Sequence, residues 1–182
     1  MDRIRLNFIN RSNDTNNSSV VIFQKNVAED FGELAIAWKV IENCGRLDNH
    51  PFAFPLLFSV SASDSYGNYT PLLTAYDGQA FDVIKSTSGD ILQLSSTPAT
   101  SPTEVEVRNQ LIQGAINANC YKDGRLLATK TRLAPGQKAM FEFQPRIYIG
   151  VVSQIREGEV MNSAIISQIN SEINLFGITS AD

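Results

Sequence analysis

Apolar and polar residues alternate along many short segments of this chain, which is the pattern of half-buried β-strands. In the first of them, residues 3–10, Ile4, Leu6 and Phe8 fall on one face and polar side chains on the other. Residues 20–23 form instead a continuous apolar run, which is typical of a strand covered on both faces. We predict further strands at 56–62, 69–74, 79–85, 91–94, 115–121, 126–132, 138–144, 146–152 and 173–178.

Two segments fit both a helix and a strand. Over 26–45, alternating apolar residues favour a strand, while Asn26 and Glu29 match the capping box of a helix that ends at Gly45. The β-branched and aromatic residues at the centre of this segment lead us to predict a strand at 33–42. The Ile-rich segment 160–172 satisfies both spacings and predicts a short helix or an irregular strand.

Turn residues separate the predicted strands. Asp123-Gly124 stands between two alternating runs and is the strongest hairpin signal in the chain. Pro51 and Pro55 lack the N–H donor that a central strand needs, so we predict an edge strand or a connector at 50–55. The Ser/Thr/Pro-rich segment 95–103 predicts a surface loop.

Short strands at a spacing of roughly 8–12 residues predict an all-β fold. We expect an antiparallel β-sandwich, Ig-like or jelly-roll-like, with room for one short helix. Leu133-Ala134-Pro135-Gly136, followed by Phe141-Glu142-Phe143, resembles the strand–turn–strand sequence of many Ig-like sandwiches. The apolar faces predict a core of Ile4, Leu6, Phe8, Val21, Phe23, Trp38, Phe58, Val60, Phe81, Val83, Leu127, Phe141, Phe143, Ile147 and Ile149.

The composition fits one globular domain spanning residues 1–182. Apolar residues make up 43% of the 182 residues and charged residues 19%, which is enough apolar surface for a core. The net charge of −4 argues against nucleic-acid binding, which needs a basic surface. The sequence has no apolar run long enough for a membrane-spanning helix and no secretory signal at its start. We therefore expect a cytoplasmic protein, a mature form, or one exported without a cleaved signal.

The chain offers few residues for catalysis or metal binding. His50 is the only histidine, in an aromatic segment that suits packing as well as chemistry, and no nucleophile elbow or phosphate loop occurs. Cys44 and Cys120 match no metal-binding spacing, so we interpret them as reduced thiols, with a single disulfide as the alternative. We expect a protein that is not an enzyme and that binds no metal or other cofactor.

Two loops carry the residues of a recognition site. The segments 64–69 and 75–78 combine tyrosine rings with amide and carboxylate groups. Sugars have apolar ring faces and hydroxyl edges, and Tyr, Gly and Asn are common in recognition loops. A lectin-like, glycan-binding module is therefore our alternative function, although tyrosines that merely fix turns to the sheet edges give the same pattern. The candidate ligand-binding residues are Asp64, Tyr66, Asn68, Tyr69, Tyr76 and Asp77.

Phe52 and Phe54 give a second alternative. Aromatic side chains in a loop insert into membrane interfaces, so these two residues predict a membrane or partner contact and a membrane-active β-sandwich. Packing across the open end of the sandwich is the competing interpretation. No basic amphipathic helix in the sequence supports membrane contact.

Charge is sorted along the chain. Residues 51–107 carry a net charge of −5, and residues 108–156 carry a net charge of +6. If these tracts form different faces, complementary surfaces favour head-to-tail association of copies of the chain. If they form neighbouring strands, their charges pair locally. Our first hypothesis is a non-catalytic interaction or structural protein that self-associates as a homo-oligomer through charged surfaces and edge strands.

Overall fold

A computed structural model describes residues 2–13, 18–29, 35–169 and 171–182, and nearly all of its regular structure is β-strand. The predicted all-β fold, with one short helix among the described residues, is confirmed. The strands are β1 (Arg3–Ile9), β2 (Ser19–Phe23), β3 (Lys39–Ile41), β4 (Asn49–Pro55), β5 (Phe58–Ser63), β6 (Leu73–Ala75), β7 (Ala80–Ser86), β8 (Gly89–Leu94), β9 (Val105–Asn109), β10 (Ile116–Lys122), β11 (Arg125–Leu133), β12 (Lys138–Phe141), β13 (Arg146–Val152), β14 (Ser171–Asn174) and β15 (Ser180–Ala181), and the helix is α1 (Ser163–Gln168).

The strands form four sheets that pack together as a β-sandwich. Sheet 1 has the order β15-β1-β4, sheet 2 the order β11-β10-β5-β6, sheet 3 the order β12-β9-β7-β8, and sheet 4 the order β14-β13-β2-β3. Two of the described pairs, β1 with β15 and β7 with β9, are parallel, and the others are antiparallel.

One main core receives side chains from all four sheets. Twelve of the fifteen predicted core residues are buried, while Phe8, Phe143 and Ile149 are partly buried against that core. Val21 and Phe23 belong to a second, smaller apolar cluster. The thiols of Cys44 and Cys120 are both buried in the main core and form no disulfide, as predicted.

Strand β2 is covered on both faces, as its apolar run predicts. Val20 and Ile22 point into the main core, whereas Val21 and Phe23 point into the second cluster, where side chains from α1 and its flanking loops pack. Gly150, on the neighbouring strand β13, lets the side chain of Ile169 approach closely. A Cβ atom at position 150 would lie 2.7 Å from Ile169 Cδ1.

Local turn chemistry accounts for the strand ends that were predicted correctly. Asp123 and Gly124 both have positive φ, 52° and 72°, as a two-residue hairpin turn of type I′ requires, and they join β10 to β11. Strand β4 carries Pro51 and Pro55 and lies at the edge of sheet 1, paired on one side with β1. The predicted edge strand is therefore confirmed.

Several predicted strands have different bounds, among them β12, which ends at residue 141 rather than 144. Pro71 delays the start of β6 to residue 73. The strand predicted at 173–178 is wrong over its second half, because the Asn174 side chain accepts a hydrogen bond from the Phe176 N–H (2.9 Å) and Gly177 has φ 75° in the turn that follows β14. Of the strand predicted at 33–42, residues 39–41 form β3, and residues 33 and 34 lie outside the described residues.

A buried carboxylate fixes the predicted surface loop 95–103 to sheet 3. The side chain of Glu106 is fully buried and forms ion pairs with Arg108 and Lys138, both at 2.7 Å. Glu106 Oε1 also accepts the N–H of Thr100 (2.8 Å), and the guanidinium of Arg108 donates to the Pro98 carbonyl (2.8 Å). These contacts join β9, β12 and the loop.

Candidate ligand-binding cleft

The loop between β5 and β6 is organised by its own carboxylate. Asp64 Oδ1 accepts hydrogen bonds from the N–H groups of Tyr66 (2.8 Å) and Asn68 (3.0 Å), and Oδ2 accepts one from Asn68 Nδ2 (2.7 Å). The side-chain hydrogen bond from Asn68 is the main reason why the pKa of Asp64 is lowered. Gly67, with φ 86°, completes the turn. Asp64 therefore holds the loop in one shape.

A cleft of about 430 Å³ lies beside this loop, within the size range of small-molecule sites. The loop forms one wall, and the β7–β8 hairpin forms the other. Lys85 and Asp90 pair across the hairpin at 3.1 Å and lie at the mouth. The lining residues are Ala62, Ser63, Asp64, Asn68, Tyr69, Thr70, Val83, Lys85, Ser88, Gly89, Asp90 and Ile116.

The loop 64–69 carries two exposed tyrosine rings. Tyr69 lines the cleft and is 65% exposed, and Tyr66, at the tip of the same loop, is 89% exposed. The backbone of Tyr69 is bridged to Ser63 at the end of β5, and beneath it Asn119 Nδ2 donates to Ser63 Oγ (3.2 Å). The rings are thus open to solvent while their backbone is anchored to sheet 2.

The six predicted ligand-binding residues do not form a single surface. Ala75 pairs with Phe58 at one end of the β5–β6 ladder, whereas Tyr69 pairs with Ser63 at the other, about 17 Å away for five strand residues. Tyr76 and Asp77 therefore lie at the opposite end of the β5–β6 hairpin from Tyr66 and Tyr69. Burial raises the pKa of Asp77, and the nearby Glu142 raises it further.

Sequence reasoning missed the second wall of the cleft. Lys85, Ser88 and Asp90 were predicted only as a strand end and a turn. Their sequence signals a hairpin, but its position beside the loop 64–69 depends on how sheets 2 and 3 pack. That packing cannot be read from local alternation.

Phe54 is packed in the interior, and Phe52 is partly buried. Phe54 is 1% exposed and meets Trp38 edge to face, with ring centroids 5.4 Å apart. Phe52 is partly buried, 6.2 Å from Trp38 by the same measure. The burial of Phe54 agrees with the competing interpretation, packing, because alternate residues of the edge strand β4 point into the core, while the contact role of Phe52 stays a prediction.

The same aromatic cluster encloses a buried cation. Lys122 is 4% exposed, and its Nζ lies 4.3 Å from the centroid of the Phe54 ring. Its carbonyl accepts the indole N–H of Trp38 (2.9 Å). Burial lowers the pKa of Lys122 from 10.5 to about 7. Since Cys120 precedes it by two residues on β10, both side chains point to the same face of sheet 2.

Among the described residues, His50 and the carboxylates of the two tyrosine loops belong to no metal-binding group. His50, on β4, has its Nε2 buried, and within the described chain this atom has no hydrogen-bond partner. Asp64 and Asn68 bind each other, while Asp77 lies at the far end of the hairpin. Across the described ranges, no three His, Cys, Asp or Glu side chains are arranged to hold a metal ion.

The basic residues of the segment 108–156 pair with nearby acidic side chains. Five of its eight basic residues form ion pairs with described residues. The pairs are Arg108–Glu106, Lys138–Glu106, Arg125–Asp123, Arg125–Glu157, Lys130–Glu29 and Arg146–Glu172. This local pairing offsets part of the positive charge of residues 108–156, and Glu106 is the one acid of residues 51–107 among these pairs.

Among the described residues, no helix is both long and apolar enough to cross a membrane. The chain matches no protein-family model, and neither a curated protein nor a solved structure shows significant similarity to it.

Proposed function

We propose that this protein is a non-catalytic binding module that recognises a carbohydrate at the cleft between the loop 64–69 and the β7–β8 hairpin. The observation that carries the proposal is the pair of exposed rings, Tyr66 and Tyr69, on a loop that Asp64 holds in shape beside a polar cleft. This is the glycan-binding alternative predicted from the sequence, restricted to one of the two tyrosine loops.

The chemistry of a sugar ring matches these groups. Its apolar face stacks on a tyrosine ring, which has few rotatable bonds and so loses little entropy on binding. Its hydroxyl groups donate to and accept from the polar groups that line the cleft, among them Thr70, Ser88 and Asp90. Because Asp64 and Asn68 already bond to each other, we assign them the shape of the loop and assign contact with the sugar to the rings.

A glycan array tests the proposal with three single variants. Tyr66→Ala and Tyr69→Ala should each weaken binding about five- to tenfold, since loss of a contact residue worth more than 1 kcal/mol has that effect. Tyr76→Ala is the matched control, because Tyr76 is also exposed (53%) but lies at the opposite end of the β5–β6 hairpin from Tyr66 and Tyr69. Its binding should equal that of the unmodified protein.

Two results would overturn the proposal. One is the absence of glycan binding by the folded protein at millimolar sugar concentration. The other is binding that survives both Tyr66→Ala and Tyr69→Ala, because the site would then lie elsewhere.

Self-association remains the second candidate, and the outer edge of β14 favours it. All four residues of this strand are exposed, and in the described part of the chain no strand pairs with its outer edge. Exposed edges of this kind pair with other chains. The test is sedimentation velocity over a range of protein and salt concentrations. We expect a concentration-dependent dimer that Ile173→Lys abolishes, and a monomer throughout would refute this candidate.

A further inference from the structure

A second cleft opens between sheets 1 and 4, away from the tyrosine loop. It has a volume of about 410 Å³, and most of its wall is apolar. Strands β1, β4, β13, β14 and β15 all contribute to it. The lining residues are Leu6, Asn7, Phe8, Ile9, Arg11, Phe52, Ile147, Ile149, Ile173, Ala181 and Asp182.

Several residues that line this cleft also pack against the main core. Phe8, Phe52 and Ile149 are partly buried and pack against the core, and each leaves part of its surface facing the cleft. Two of the strands that line the cleft, β14 and β15, are edge strands of their sheets. An apolar chain that entered here would extend the core and would be covered by both sheets.

One of the residues that line the cleft is a cation, Arg11. Arg11 is exposed and lines the cleft, and no described residue forms an ion pair or a hydrogen bond with its guanidinium. Asp182 also lines the cleft but does not pair with Arg11. The bidentate geometry of a guanidinium suits a carboxylate ligand.

We infer that this cleft binds a small amphiphile, an unbranched alkyl chain that ends in a carboxylate. The chain lies between sheets 1 and 4 against Phe8, Phe52 and Ile149, and the carboxylate binds Arg11. Apolar burial provides most of the affinity, and the guanidinium sets the orientation. The site is separate from the proposed glycan cleft, so either assignment can fail without the other.

Methyl-group NMR titration tests the inference with free hexanoate, octanoate and decanoate below their micelle concentrations. Shifts should be confined to methyl groups of the cleft, such as those of Ile147, Ile149 and Ile173. Each further methylene should tighten binding, by up to about fourfold, until the cleft is filled. Octanol should bind more weakly than octanoate, because it lacks the charge that pairs with Arg11.

Matched variants distinguish the contribution of the ligand's alkyl chain from that of its carboxylate. Ile149→Trp should fill the cleft and abolish binding, while Ile112→Trp, at a loop position that is 99% exposed, should leave it unchanged. Arg11→Gln should weaken octanoate binding at least fivefold without affecting octanol. Asp182→Asn should strengthen octanoate binding, since it removes a nearby negative charge.

Three results would overturn the inference. Affinity that does not change with chain length would show that the alkyl chain is not buried. Equal octanoate binding by the original protein and by Arg11→Gln would show that Arg11 does not bind the carboxylate. Because Arg11 is exposed, its substitution should not affect folding, so this result counts even if Ile149→Trp fails to fold. Shifts spread over the whole surface would indicate unspecific association.

Discussion

The carboxylate of Glu106 is predicted to be a major source of stability that disappears in acid. Its side chain is fully buried. Burial alone raises its pKa, but hydrogen bonds from Lys138, the Thr100 backbone and Arg108 outweigh burial and lower the pKa from 4.5 to about 2. A difference of that size between the unfolded and folded chain corresponds to roughly 3 kcal/mol of folding free energy.

The sign of the pH dependence follows from the lowered pKa. The contribution is fully present above the unfolded pKa of 4.5, and it is lost as the pH falls through the folded pKa of about 2. The substitution Glu106→Gln removes this stability contribution at every pH and leaves Arg108 and Lys138 without their ion-pair partner. At pH 7 the variant should therefore be less stable by about 3 kcal/mol or more.

Urea unfolding of both proteins, followed by tryptophan fluorescence between pH 7 and pH 2, measures this difference. The gap in free energy of unfolding should be constant above pH 5 and should shrink steadily below pH 4.5. Asp90→Asn is the control, because the Lys85–Asp90 pair is exposed (75% and 38%) and should contribute at most about 1 kcal/mol. A gap below 1 kcal/mol at pH 7, or a gap that does not change with pH, would refute the reasoning.

Two further predictions concern the interior. Lys122→Met should raise the free energy of unfolding at pH 7, because burial lowers the folded pKa of Lys122 to about 7. As the pH rises from 7 to 10.5, the unmodified protein should gain stability by up to about 1.4 kcal/mol per pH unit, so the difference between the two proteins should shrink. Urea unfolding at several pH values checks this, and parallel pH profiles of the two proteins would contradict it. Gly150→Ala should destabilise by about 1–3 kcal/mol, since the new methyl group collides with Ile169. A thermal melt checks this: Gly150→Ala should cost less in a chain that already carries Ile169→Ala, which removes the colliding γ and δ carbons, and an equal cost in both chains would contradict it.

Features set by neighbouring residues could be predicted from the sequence. Alternation placed Ile4 and Leu6 in the core, and the apolar run of β2 predicted a strand with two covered faces. Asp123-Gly124 predicted its hairpin because the φ angles of a type I′ turn select those residue types. Each of these inferences needs only a few consecutive positions.

Features set by distant neighbours could not be predicted. The cleft beside Tyr69 needs Lys85 and Asp90 from another sheet, and no local pattern places two sheets together. Glu106 and Lys138 belong to tracts of opposite net charge and meet because β9 pairs with β12. Charge counts along the chain could not show that these two residues pair.

The double coverage of β2 has a consequence for the order of folding. β2 pairs with β13, more than a hundred positions later in the chain, and its Val21–Phe23 face lacks its cover until α1 and the loops beside it are in place. Closing so long a loop costs chain entropy before any contact compensates for it, so assembly of sheet 4 should be a late and slow step. Until then the stretch Val20–Phe23 is an uncovered β-prone segment, and refolding yield should fall as protein concentration rises.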